Sequence, residues 1–152
     1  MNPKAYFILM FTLLVSSGLM AQKQDYDESL ANSLGGDEFG MRTYVMAILL
    51  SGDRVADYSQ VERQEIQKGH MANISQLSEE GTLILAGPFI AGDEKRGIFI
   101  FAVDSLEEAE KLTQRDPAVK AGVLKMQLIQ WYGSAALMQV PEIHQKIQKI
   151  DF

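Results

Sequence analysis

The sequence predicts an α+β fold in which a four-stranded antiparallel sheet carries two helices on one face. Three features point there: apolar runs of alternating pattern, amphipathic stretches with capping signals, and the order in which they come. MRTYVMAILLSG, from Met41, is dense in apolar and β-favouring residues before Gly52 and Asp53 turn the chain. Ser51 to Asp57 reads as loop, and Tyr58 to Glu80 as a helix closed by Gly81. Gly69 either breaks that helix in two or lets another segment approach it closely. TLILAGPFI, from Thr82 to Ile90, and GIFIFAVDS, from Gly97 to Ser105, are two strands turned by AGDEKR. Pro88 has no N–H for a ladder bond, so its strand belongs at a sheet edge. In SLEEAEKL, Ser105 and Glu108 form a capping box, and Leu106, Ala109 and Leu112 give the helix one apolar face. Asp116 and Pro117 suit the N-cap and first position of a short helical turn ending at Gly122. VLKMQLIQWYG is the last strand, with Lys125 and Gln127 on one face and Leu124, Met126 and Leu128 on the other, as on a half-exposed edge. The order β-α-β-β-α-β is ferredoxin-like.

Parity predicts assembly. The strand from Gly97 puts Ile98, Ile100 and Ala102 on one face and Phe99, Phe101 and Val103 on the other, so both faces are apolar. Two helices cover one side only, and little beyond PEIHQKIQKIDF is left to cover the second. At about 25 cal/mol per Å2 of apolar surface, a homodimer stacked through that sheet face is the economical arrangement.

Composition narrows the partners. The chain has 152 residues, enough for one domain, with 47% hydrophobic and 22% charged residues. A net charge of −6 without a basic stripe argues against nucleic acid. MNPKAYFILMFTLLVSSGLMAQ has a lysine near its start, an apolar run to Val15 and small residues before Ala21, the layout of a signal peptide over residues 1–21. That run is short for a membrane span, so a secreted or periplasmic protein with no membrane association after cleavage is expected, an uncleaved N-terminal anchor being the alternative. Residues 22–40 are acidic and poor in large apolar groups, and read as a flexible tether. The domain is then 41–133 and a C-terminal extension 134–152. With no cysteine, packing alone holds the fold.

Only two histidines are present, and His144 falls in the polar extension, where it reads as solvated. His70 in QEIQKGHMANISQL fills the gap in a helical stripe of Ile66, Ile74 and Leu77. It is either a core histidine with satisfied nitrogens or a proton-transfer group with an orienting partner, for which Asp116 is the leading candidate. Asp116 reads equally as the N-cap before Pro117. The ligand types and spacings support no metal site, the glycines form no phosphate-cradling loop, and no cofactor is expected. Asn73, Ile74 and Ser75 match a glycosylation acceptor pattern but lie in the predicted helix, and the match is set aside.

The helix carrying His70, the run EEGTLILAGPF, the strand GIFIFAVDSLEEAEKL and DPAVKAGV followed by a last strand together resemble the YciI-like, or YCII-related, domain from about Met41 to Tyr132. The resemblance implies a dimeric α+β barrel of ferredoxin-like subunits and a candidate active site on a histidine and an aspartate, here His70 and Asp116. Some members eliminate chloride from hydroxylated aromatics. The function expected is a small-molecule enzyme, a cofactor-independent lyase or isomerase with His70 and Asp116 as general acid/base. The alternatives are a noncatalytic dimeric module that binds a small ligand in the same pocket and a monooxygenase-like relative.

Overall fold

A computed structural model describes residues 25–150. The expected signal peptide and the first residues of the tether lie outside the described residues. Among the described residues no helix is long and apolar enough to cross a membrane.

The strands are β1 Met41–Ser51, β2 Leu83–Pro88, β3 Lys95–Phe101 and β4 Leu124–Ser134, in one antiparallel sheet of order β2-β3-β1-β4. The two edges are those expected from Pro88 and from the polar alternation of the last strand. Val45, Ala47, Leu49, Phe99, Phe101 and Val103 meet Leu77 and Ala109 in the main core, beneath helices α2 (Gln60–Glu79) and α3 (Leu106–Thr113). Ser105 accepts from the Glu108 backbone N–H at 3.1 Å and starts α3. The full capping box belongs to α2, where Ser59 Oγ accepts from Glu62 N and Glu62 Oε2 accepts from Ser59 N at 2.7 Å.

The acidic tether departs from expectation. Its described part contains α1 (Glu28–Ser33), capped by Asp27 Oδ1 accepting from Leu30 N at 2.9 Å. Asp37 then accepts from the N–H groups of Phe39 and Met41 at 2.9 and 3.0 Å and from the Tyr132 hydroxyl on β4. Aspartates that composition reads as solvating charge serve here as a cap and a loop acceptor. The Tyr132 hydrogen bond, with that from Met41, holds the Asp37 carboxyl below its usual range. A carboxyl depressed on folding contributes stability above its unfolded pKa, and the contribution fades as pH falls through the folded value. Asp37→Ala should therefore lower the melting temperature near neutral pH, and the gap to wild type should close in acid. A gap independent of pH would contradict this role.

The second face of the sheet is partly covered by the chain itself. After β4, a 3-10 turn (Ala135–Gln139) leads into the C-terminal helix Val140–Ile147. Leu137 and Met138 pack on Tyr44, Ile84 and Ile100, and Tyr44 stacks on Trp131 at 5.8 Å. The covering residues precede the PEIHQKIQKIDF segment to which sequence reasoning looked. They cap one end of the face.

Candidate functional site

Gly69 does not break α2, which is continuous over 20 residues. A Cβ at Gly69 would lie 3.0 Å from Pro117 Cγ, so the missing side chain is the space into which Pro117 fits. Pro117 begins the single-turn helix Pro117–Lys120, here α4, whose N-cap is Asp116. Two polar links flank this contact. Tyr58 OH donates to Ala121 O at 3.0 Å, and Arg115 forms a bidentate ion pair with Glu80 at 2.6 and 2.7 Å. The guanidinium holds the Glu80 carboxyl below its usual range.

Clasped in this way, α2 and α4 bring the two sequence-predicted residues together. His70 Nδ1 lies 2.7 Å from Asp116 Oδ2. Asp116 is fully buried, and its Oδ1 accepts from Ala118 N at 2.8 Å. Both carboxylate oxygens are thus engaged, one at the cap and one at the ring, so the N-cap and the contact with His70 coexist. In the neutral ring, the nitrogen opposite a carboxylate, which only accepts, is the protonated one, so Nδ1 donates and the lone pair falls on Nε2. The ring lies nearly parallel to Phe99, at 5.9 Å and 14°. The His70 side chain keeps 8% of its surface open, and its Nε2 bonds to no described residue.

Sequence reasoning missed Asn73. It lies one turn beyond His70 among the buried residues of α2, His70, Asn73 and Leu77, and its Nδ2 is shut off from solvent without a hydrogen-bond partner. Its signal was the i+3 spacing from His70, obscured by the glycosylation pattern that includes it.

A cavity among the described residues lies apart from the pair. A space of about 630 Å3 lies between the end of α2, β2 and the C-terminal helix, lined by Ile74, Glu79, Leu85, Pro141 and His144 among others. His70 and Asp116 do not line it, whereas the exposed His144 does. Among the described residues no cluster of three or more His, Cys, Asp or Glu has the arrangement to hold a metal ion.

The model of the YCII-related domain matches residues 46–132, which include every element of the clasp and the pair. The chain belongs to the YCII-related domain family. A relative within reach of sequence comparison is the uncharacterized protein YjpA of Bacillus subtilis (strain 168), 34% identical over 68 residues, which span 45% of this chain and 78% of that protein. Among solved structures, 5-chloro-2-hydroxyhydroquinone dehydrochlorinase (TftG) from Burkholderia phenoliruptrix AC1100, in complex with 2,5-dihydroxybenzoquinone, aligns with a TM-score of 0.43 and 16% identity over 59% of this chain and 93% of that one. Likeness at that level assigns no chemistry to the present YCII-related chain.

Proposed function

We propose that this YCII-related protein is a small-molecule enzyme in which His70 is the general acid/base and Asp116 its orienting partner, acting in an elimination or isomerisation. One observation carries the reading: a fully buried carboxylate holds Nδ1 at 2.7 Å while Nε2 has no partner among the described residues. A base needs its lone pair on the nitrogen facing the substrate, and a fixed tautomer supplies that without reorganisation during the reaction. The proton transfers involved ask for no group beyond the pair. Screening small hydroxylated and carbonyl compounds for turnover by the wild type and His70→Asn tests it. Equal turnover by the two proteins would remove His70 from the chemistry.

A second reading is a noncatalytic dimeric module for a small ligand, and the cavity favours it, because that space of about 630 Å3 lies apart from the pair. Isothermal titration of compounds found in the same screen separates the two. Binding without turnover, unaffected by His70→Asn, belongs to the module.

We also propose a homodimer through the sheet face opposite the helices. Met46, Ile98 and Trp131 lie on this face, and its β4 residue Ile129 is 41% exposed. Parity left Ile98 or Phe99 as the outward residue, and the structure assigns Ile98, since Phe99 is in the core beneath the helices. Ile98→Glu should convert a sedimenting dimer into monomers. A wild-type protein that sediments as a monomer at micromolar concentration would rule the interface out.

A further inference from the structure

We infer that Asn73 contacts the substrate, which is a small enolisable carbonyl compound: the Asn73 carboxamide donates to the carbonyl oxygen while His70 Nε2 takes the proton from the adjacent carbon. The inference rests on the proposed role of His70 and extends it to a second residue and a substrate class.

The starting point is the unpaired amide. Asn73 is 8% exposed, and its Nδ2 is buried with no acceptor. Buried polar groups are nearly always hydrogen-bonded, so an orphaned donor calls for a partner that the folded chain does not itself supply. The neighbouring apolar positions on the stripe, Ile66 and Leu77, show what packing alone would put there. Asn73 follows His70 by three residues on one face of one helix, a spacing that sets Cβ atoms about 5–6 Å apart. Both side chains are buried, and the His70 ring lies against Phe99 of β3.

The two unfilled groups are chemically complementary. Nε2 accepts a proton, and the amide donates a hydrogen bond. A carbonyl compound with a hydrogen on the adjacent carbon satisfies both, because the acidic C–H and the oxygen are separated by two bonds. As the C–H bond breaks, the proton goes to Nε2, the bonding pair forms the C=C bond, and the carbonyl π pair moves onto oxygen. The amide meets the charge that grows there. Returning the proton to the same carbon gives exchange; in a hydroxycarbonyl compound, once the hydroxyl proton has passed to the enolate oxygen, returning it to the neighbouring carbon gives isomerisation, with no other reactant in either case.

The test follows deuterium uptake by pyruvate, dihydroxyacetone and acetoin in D2O by proton NMR, with wild type, Asn73→Ala and His70→Asn, alongside the melting temperature of each. The wild type should accelerate exchange of at least one probe. Asn73→Ala should lower that rate by roughly 100-fold, the usual effect of removing one oxyanion donor, while melting no lower than wild type because the lost amide had no partner. Three results would overturn the inference: no acceleration by the wild type, an unchanged rate in Asn73→Ala, or a drop in its melting temperature with the rate per folded molecule kept. An unchanged rate in Asn73→Ala together with a lost rate in His70→Asn overturns this inference and leaves the role of His70 standing. An unchanged rate in His70→Asn removes both.

Discussion

His70→Asn is expected to fold as the wild type does and to lose turnover by ~100-fold or more, the contribution general base catalysis commonly makes. The asparagine amide can place its nitrogen near the position of Nδ1 and keep a donor for Asp116 Oδ2, which otherwise remains fully buried with one oxygen unsatisfied. What it cannot replace is Nε2. Melting temperature and turnover measured on one preparation separate the outcomes. A destabilised protein with full activity per folded molecule would make His70 a structural residue.

Substitution at Asp116 should give the largest loss of stability. Asp116→Ala removes the acceptor for Ala118 N and the partner of His70 Nδ1 together. Loss of an N-cap costs ~1 kcal/mol and an orphaned buried donor a further ~1 to 3 kcal/mol, so a decrease of ~2 to 4 kcal/mol in urea unfolding is expected. Asp116→Asn differs in kind. Its carbonyl oxygen can keep the cap, but its NH2 then faces Nδ1 and donates to it, which moves the ring proton to Nε2. Stability is largely kept while the base is lost, so turnover should fall although the fold remains. An Asp116→Ala protein with the wild-type unfolding midpoint would show that neither hydrogen bond matters to the fold.

Much of the fold was legible locally, and the failures share a cause. Period-two alternation in β1 and β3 identified which residues share a face, and Pro88 marked an edge strand. Parity could not say which face the helices cover, because Ile98 and Phe99 are equally apolar. The proximity of His70 and Asp116 spans 46 positions, beyond any local pattern, and was reached through resemblance to the family's motifs. Gly69 was ambiguous for a similar reason: its role depends on Pro117, which only tertiary structure brings near. Asp27 and Asp37 misled because composition counts a carboxylate as charge whether or not it meets a backbone N–H. Asn73 was set aside because the surface motif around it describes a different chemistry from the one burial imposes.

The 3-10 turn that caps one end of the open sheet face constrains the geometry of any pair built there. A two-fold axis repeats every feature, so a second copy stacked on this face would bring its own Leu137 and Met138 along with its sheet. The two extensions would then stand at opposite ends of the shared layer and act as stops. Each would prevent the opposing sheet from sliding past it, so the length of the uncovered strip, rather than side-chain matching alone, would determine how far the two sheets overlap.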